Sequence, residues 1–213
     1  MGLREEKEQL TRHNIMDMAF DLFCAQGIEP TEMLQIARKA KISRPTLYRY
    51  FETKERLAEE VYLRNLEQTL IATIEFSNDM TTLEIVTEFL QVVIQELQEH
   101  PKRLVYDAIY NLYASRLHID PTRIPSHPLN TKKYLAILQS KQFTHPDETI
   151  RFSGAGEELM HAVLYPFFTY IQRLAIFSFQ KDPGQWEETL QEACILRDFY
   201  LTALKPETPN SGK

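Results

Sequence analysis

Apolar residues recur at helical spacing along most of the chain. Near the N-terminus Ile15, Met18, Ala19, Leu22 and Phe23 fall on one stripe, with spacings of three and four residues. Long stretches contain neither glycine nor proline, which disfavours a β-sandwich because its strands need frequent turn residues. The pattern therefore predicts an all-α protein with about nine helices.

Helix ends are marked most clearly in the first 60 residues. Gly27 predicts the end of the first helix, and Thr31 is a candidate N-cap of a short second helix. Ser43 can cap a third helix whose first turn contains Pro45, where the missing N–H costs nothing. Thr53 can cap a long fourth helix. Two short helices joined by a tight turn and preceded by a longer helix are typical of a three-helix head that binds DNA.

The rest of the chain predicts further helices separated by two irregular breaks. We expect helices at about residues 82–99, 102–117, 130–140, 157–179 and 185–204. The last eight residues, 206–213, are polar and are expected to be disordered.

Charge is distributed unevenly. The net charge is −6, yet residues 33–56 contain seven basic and two acidic residues, whereas residues 57–213 contain 14 basic and 21 acidic residues. A local basic patch on an acidic body indicates an attraction for DNA at one end of the molecule.

Residue types suggest how such a head would contact DNA. Arg44 can bind guanine or clamp a phosphate, Thr46 can reach a base edge, and Lys54 lies in the first turn of the fourth helix, where a phosphate is favoured. Thr31, at the start of the second helix, could act in the same way. The candidate DNA-binding residues are Thr31, Arg44, Pro45, Thr46, Tyr48, Arg49, Tyr50 and Lys54. The alternatives to DNA contacts are that Tyr48 and Tyr50 are only packing residues and that Arg49 is a plain solvated charge.

The segment from Ile36 to Leu57 reads IARKAKISRPTLYRYFETKERL. It resembles the DNA-binding head of the TetR family of bacterial transcriptional regulators, and the resemblance covers about residues 8–60. Tyr48 and Tyr50 are similar to that family's phosphate-contacting aromatic residues. One departure is Lys41, which stands where the family usually has glycine. The turn would therefore be tighter, or it would contain a lysine in the left-handed conformation at some energetic cost.

The resemblance implies a domain organisation and a dimer. We expect a helix-turn-helix DNA-binding domain at residues 1–56 and a helical effector-binding and dimerisation domain at residues 57–205. A homodimer would bind a near-palindromic operator through its two heads. Candidate interface residues in the last two helices are Leu159, Val163, Phe167, Tyr170, Leu196, Phe199 and Tyr200. The alternative is that these residues close the chain's own core.

Aromatic residues with polar tips suggest a pocket for a small, largely apolar effector. The candidates are Tyr106, Tyr110, Tyr113, His118, His161, Tyr165, Phe168 and Gln172. For any single one of them, core packing is the commoner role. The effector would release the protein from DNA by favouring dimers whose two heads are spaced wrongly for the operator. Repression is the more common outcome in the family, so we expect a repressor.

Signatures of catalysis are missing from the sequence, so we expect no enzyme activity and no cofactor. His118 with Asp120, and His145 with Asp147, supply too few ligands to predict a metal site. The apolar runs are too short to span a membrane and the N-terminus does not resemble a signal peptide, so we expect a cytoplasmic protein. The alternative function is a TetR-like co-regulator that acts through a protein partner without sequence-specific DNA binding.

Overall fold

A computed structural model describes residues 2–70, 77, 79–117, 150–151, 156–180 and 186–206. These residues form helices and no strand, which confirms the all-α prediction. The helices are α1 Leu3–Gln26, α2 Met33–Lys39, α3 Arg44–Tyr50, α4 Lys54–Gln68, α5 Thr82–Glu99, α6 Pro101–Arg116, α7 Gly156–Leu159, α8 Tyr165–Gln180 and α9 Trp186–Leu204. The helix expected at residues 130–140, His118 and residues 207–213 lie outside the described residues.

The chain divides into two compact units. The first, which we call the head, comprises Met1–Gln68 and Val105–His127, and the second, the body, comprises Thr69–Leu104 and Pro128–Lys213. Packing therefore groups α4 and most of α6 with the three N-terminal helices. The functional boundary expected after residue 56 stays a prediction.

The core of the head begins with the apolar stripe of α1. Ile15, Ala19 and Phe23 are fully buried, because their spacing places them on one face of the helix. Gly27 ends α1 with φ 88°, and its N–H donates to the carbonyl of Phe23 at 2.9 Å. A positive φ costs glycine little, so the predicted helix end is confirmed.

The start of α2 differs from the prediction by one residue. Glu32, not Thr31, is the N-cap residue, and its N–H donates to Oε1 of Gln35 at 2.9 Å. The predicted cap at Thr31 is wrong because that side chain turns back toward α1, where its hydroxyl donates to the carbonyl of Gly27 at 2.6 Å.

The turn between α2 and α3 depends on the left-handed lysine that the sequence analysis considered. Lys41 has φ 57°, and it is the one positive-φ residue other than glycine among those described. Its N–H donates to the Arg38 carbonyl at 3.1 Å, and the Ile42 N–H donates to the Ala37 carbonyl at 3.0 Å. These two bonds make a Schellman motif, a helix ending that usually has glycine at this position.

Hydroxyl side chains begin the next two helices, as predicted. Ser43 Oγ accepts the N–H of Thr46 at 3.2 Å at the start of α3, and Pro45 lies in the first turn. Thr53 Oγ1 accepts the N–H of Arg56 at 3.1 Å at the start of α4. Each bond satisfies a backbone donor that lacks a partner inside its helix.

The body is organised around α5. This helix has an N-terminal capping box of Thr81 and Glu84 and packs against both α8 and α9. A π-helical turn, Met160–Leu164, joins α7 to α8. Pro166, the second residue of α8, lacks an N–H, which fits a change of hydrogen-bonding pattern at this point.

Candidate nucleic-acid interface

The α3 helix presents one face to solvent, and it directs Leu47 and, in part, Tyr50 to the core. Leu47 is fully buried, whereas Arg44, Pro45, Tyr48 and Arg49 are exposed. Positions i, i+1, i+4 and i+5 share one side of a helix, so these four residues form a continuous surface. We call this surface the α3 face.

Two arginines in α3 lie over neighbouring aromatic rings. The guanidinium carbon of Arg44 is 5.5 Å from the ring centroid of Tyr48, and that of Arg49 is 5.3 Å from the ring centroid of Tyr50. These distances suit cation–π attraction. The contacts restrict long side chains before any ligand arrives, which lowers the entropic cost of binding.

Thr46 lies at the edge of the α3 face and is half-buried. Its hydroxyl is 2.7 Å from the hydroxyl of Ser43, the residue that caps the helix. A base contact by the Thr46 hydroxyl would therefore compete with, or extend, the capping bonds.

Lys54 is tied to the connection between α1 and α2. Its ammonium group donates to the carbonyl of Glu29 at 2.6 Å and to the carbonyl of Thr31 at 3.0 Å. An ammonium group has three donors. The phosphate contact expected of Lys54 stays a prediction. It would use the third N–H of the ammonium group, because the other two donate to Glu29 and Thr31.

Thr31 is buried, with 1% of its surface exposed. Besides donating to Gly27, its hydroxyl accepts a hydrogen bond from Nε2 of Gln26 at 3.0 Å. A DNA contact through this hydroxyl stays a prediction without support from its placement. The structure instead gives Thr31 a role in fixing the start of α2.

The sequence analysis missed the glutamines that complete this network. Nε2 of Gln26 donates to Oε1 of Gln35 at 3.1 Å, and the same oxygen accepts the N–H of Glu32. The available signal was a glutamine three residues after Glu32, which is the spacing of a capping box. Only the fold brings Gln26 of α1 to this place.

A concavity of about 380 Å³ adjoins the α3 face. It is lined by Glu29, Thr31, Glu32, Met33, Leu34, Arg44, Tyr48 and Lys54. It therefore brings together four of the predicted DNA-binding residues, from α3, from the start of α4 and from the connection before α2. Two glutamates in the lining offset the charge of its two cationic side chains.

Three tyrosines expected to line an effector pocket pack within the head instead. The Tyr106 hydroxyl donates to the Ala58 carbonyl at 2.9 Å, and the Tyr110 ring stacks on Tyr62 with centroids 4.2 Å apart. The Tyr113 hydroxyl donates to Oε1 of Glu55 at 3.1 Å. Packing between α4 and α6 accounts for these three residues without a ligand, so their place in an effector pocket stays a prediction without support from their placement.

Burial and nearby carboxylates raise the pKa of two of these tyrosines, so that both stay neutral over a wider pH range. Burial is the largest cause that raises the pKa of Tyr110 to about 12, and the Glu59 carboxylate adds to it. Burial and the bonded Glu55 carboxylate raise the pKa of Tyr113 to about 12. Near neutral pH both hydroxyls therefore remain donors.

Of the remaining pocket candidates, His118 lies outside the described residues and the other four belong to the body. Phe168 and Gln172 are buried, and Tyr165 is half-buried beside a surface concavity of about 430 Å³. This concavity is lined by Tyr165, Pro166, Thr169, Tyr170 and Arg173, all of α8. The side chain of His161 lies outside the described residues. Effector contacts by these residues stay predictions.

The interface candidates separate into two groups. Leu159, Val163 and Phe167 are buried inside the body. They belong to the chain's own core, which was the alternative, so we withdraw them as interface residues. Phe199 is 67% exposed, while Tyr170, Leu196 and Tyr200 are half-buried.

Two further apolar residues on the outside of the body were not among the candidates. Ile195 is 62% exposed and Phe177 is 45% exposed. Helical spacing alone could not separate them from core residues, because α8 and α9 carry more apolar residues than one stripe requires.

The described residues lack the features of a membrane span and of a metal site. None of their helices is long and apolar enough to cross a membrane. They also contain no cluster of three metal-binding side chains. The two histidine–aspartate pairs, His118 with Asp120 and His145 with Asp147, lie outside the described residues.

Sequence comparison connects the head to known regulators. Residues 15–61 match the sequence model of the family described as "Bacterial regulatory proteins, tetR family". The chain is 29% identical to the HTH-type transcriptional regulator AcrR of Shigella flexneri over 114 residues, which are 50% of this chain and 51% of the relative. It is 37% identical to the HTH-type transcriptional regulator TcmR of Streptomyces glaucescens over 73 residues, 31% of this chain and 32% of the relative. The chain thus spans about half the length of these curated relatives or less.

Structural comparison extends over nearly the whole chain. A crystal structure of a TetR family transcription regulator from Marinobacter aquaeolei VT8 superposes with a TM-score of 0.63. The match covers 95% of this chain and 100% of that protein at 18% identity, so it shows the fold. The head thus matches the sequence model of the tetR family over residues 15–61, and nearly the whole chain shares the helical fold of this solved TetR family regulator.

Proposed function

We propose that this protein is a cytoplasmic transcriptional repressor that binds a near-palindromic DNA operator as a homodimer and is released by a small, largely apolar ligand. The observation that carries the proposal is the α3 face, which holds Arg44, Tyr48 and Arg49 on a capped two-turn helix. A helix of this width fits the major groove of B-form DNA.

The chemistry of the α3 face suits both base edges and phosphates. Arg44 presents a planar fork of donors that matches the O6 and N7 atoms of guanine. Tyr48 is 37% exposed, so its hydroxyl is available to donate to a phosphate oxygen. Contacts of both kinds would give sequence preference together with a strong dependence on salt.

A second copy of the chain is the partner proposed for the exposed apolar residues of α8 and α9. Phe177, Ile195 and Phe199 are costly to leave in water. Two helices from each chain would form a four-helix interface with two-fold symmetry. Such a dimer would present two α3 helices about 34 Å apart, one turn of DNA.

Release by a ligand would require differential binding to two arrangements of the dimer. A ligand that prefers an arrangement with the wrong spacing of heads lowers operator affinity at both half-sites. Tyr165, Phe168 and Gln172 remain the proposed contacts in the body, and their mixture of aromatic and amide groups suits a mostly apolar molecule.

The test is selection of DNA by the full-length protein from a randomised duplex library, together with fragments that flank its own gene. Binding of the enriched duplex is then followed by fluorescence anisotropy at several salt concentrations. The key variant is Arg44→Ala with Tyr48→Phe. Lys205→Ala serves as the control, since it removes one positive charge from an exposed position in the body.

We expect a palindromic duplex to be enriched, bound tightly at low salt, and lost in the double variant but retained by the control. If no duplex is enriched and both variants behave like the wild type, the DNA-binding proposal fails. The co-regulator that acts through a protein partner would then be the better interpretation.

A further inference from the structure

The orientation of α3 depends on its ends more than on its packing. The helix has seven residues, of which Leu47 alone is buried. Tyr50, at the end of the helix, is half-buried and packs against the core. One fully buried side chain in the middle of a two-turn helix gives little resistance to rocking about that point. Contacts at its two ends must therefore set the direction in which Arg44 and Tyr48 point.

The N-terminal end is held by local bonds already described, through Ser43 and the turn at Lys41. At the C-terminal end the chain leaves the helix at Phe51, which has an extended backbone with φ −140° and ψ 106° and is fully buried. The carbonyl of Tyr50 is one of the last of the helix. Carbonyls at this end lack partners within the helix and carry its partial negative charge.

Arg12 of α1 reaches this end of α3 from a distant point in the sequence. Its guanidinium carbon is 4.6 Å from the ring centroid of Phe51. Its Nη1 donates to the Tyr50 carbonyl at 3.5 Å, and its Nη2 donates to the carboxylate of Glu60 in α4. One side chain thus joins α1, the end of α3 and α4.

The carboxylate of Glu60 holds Arg12 in this position. Its second oxygen is 3.1 Å from Nε of Arg56. The Glu60 side chain is 17% exposed and that of Arg12 is 37% exposed, so solvent screens the pair less than it screens a pair on an open surface. The positive charge of Arg12 also complements the C-terminal end of α3.

We propose that Arg12 is a positioning residue for DNA recognition, which clamps the C-terminal end of α3 through Tyr50, Phe51 and Glu60. Arg12 precedes the segment matched by the family sequence model, which begins at residue 15. The inference rests on the proposed DNA-binding function. It adds that a residue off the α3 face controls how well that face fits a preferred sequence.

Arg56 offers a matched control within the same network. It is also an arginine paired with Glu60, but its side chain is 60% exposed, and both of the carboxylates with which it forms ion pairs, Glu59 and Glu60, are in α4. Arg12→Gln and Arg56→Gln each remove one positive charge from the head. Any loss of general attraction for DNA should therefore be similar in the two variants.

The test compares the full-length wild type with Arg12→Gln and Arg56→Gln in two measurements. The first is the affinity for the duplex enriched by the wild type and for a scrambled duplex of equal length. We expect Arg12→Gln to bind the enriched duplex about tenfold more weakly than Arg56→Gln, as for one mismatched base pair. The two variants should bind the scrambled duplex equally.

The second measurement is amide hydrogen exchange in the absence of DNA. Arg12→Gln should accelerate exchange in a peptide covering residues 44–51 and leave α5 unchanged, whereas Arg56→Gln should change neither. Equal behaviour of the two variants in residues 44–51, or equal acceleration of α5 by Arg12→Gln, would overturn the clamp. If the wild type enriches no duplex, the DNA-binding proposal fails, and exchange alone decides whether Arg12 holds α3.

Discussion

The head and the body hold their helices by different means. In the head, the seven-residue helices α2 and α3 contribute two and one buried side chains, and polar bonds fix their ends. In the body, α5 alone contributes ten buried residues, of which eight are apolar. DNA binding by α3 should therefore be sensitive to the polar contacts at the ends of that helix. Self-association through the body would instead depend on which apolar residues lie on its surface.

The body also buries a few polar side chains, and one of them carries a carboxyl group. Glu96 of α5 is fully buried. Its Oε2 accepts the N–H of Leu70 at 2.7 Å, and its Oε1 is 3.5 Å from Nη1 of Arg103. The contact with Arg103 is an ion pair without hydrogen-bond geometry, since Oε1 has no hydrogen-bond partner among the described residues.

The largest effect that we expect comes from the single buried residue of α3. Leu47→Ala should lower the free energy of unfolding by about 2–5 kcal/mol, because it leaves a cavity and removes the only fully buried side chain of the helix. Urea unfolding measures this loss.

Tyr48→Ala, one residue away and partly exposed, is the control for that experiment. It should cost less than about 1 kcal/mol of stability while still weakening DNA binding. Similar losses of stability in both variants would mean that α3 is anchored over its whole length.

The next effect concerns the outside of the body. Phe199→Ser should raise the dissociation constant of the proposed homodimer by about tenfold or more, because an aromatic ring at the core of the proposed interface would contribute at least about 1.4 kcal/mol. Sedimentation equilibrium measures the change.

Leu10→Ser is the matched control, since Leu10 is 63% exposed but lies in the head. Its self-association should equal that of the wild type. An unchanged dimer in Phe199→Ser would place the interface elsewhere.

A smaller effect tests the turn between α2 and α3. Lys41→Gly should raise the free energy of unfolding by up to about 1 kcal/mol, because glycine adopts φ 57° without the steric cost that lysine has there. Lys39→Gly, in the last position of α2, should have the opposite sign and cost about 1 kcal/mol. Destabilisation by both glycines in thermal or urea unfolding would contradict the cost assigned to Lys41.

The last prediction concerns how the free energy of unfolding changes with pH. Burial raises the pKa of Glu96 above its ordinary value of 4.5, more than the Leu70 amide, Arg103 and His100 lower it. The folded state thus binds this proton more tightly than the unfolded state. The resulting stability is present below pH 4.5 and is lost as the pH rises through the raised value.

Glu96→Gln isolates this contribution, since glutamine still accepts the Leu70 N–H but does not titrate. The free energy of unfolding of the wild type, relative to the variant, should fall as the pH rises from 4.5. Glu99→Gln, exposed on the same helix, is the control for a general charge effect. A difference between wild type and Glu96→Gln that stays constant with pH would show that Glu96 keeps an ordinary pKa.

The sequence by itself determined the helix ends of the head and the residues of the α3 face. Gly27, Ser43 and Thr53 end or begin helices as predicted, and Lys41 has the left-handed backbone that was one of two alternatives for its turn. These features depend on atoms within about five residues, so local geometry was enough to predict them. The exception is Thr31, whose hydroxyl found a partner in α1 instead of capping α2.

Only the tertiary structure decided which face of each later helix is inside. Tyr106 and Tyr110 turned toward α4, Phe167 turned into the body, and Phe199 turned outward, although all four are aromatic residues in helices. Helical spacing shows that residues share a stripe but not what covers that stripe. The contact of Arg12 with the end of α3 joins residues 38 positions apart, and only the packing of α1 against α4 brings them together.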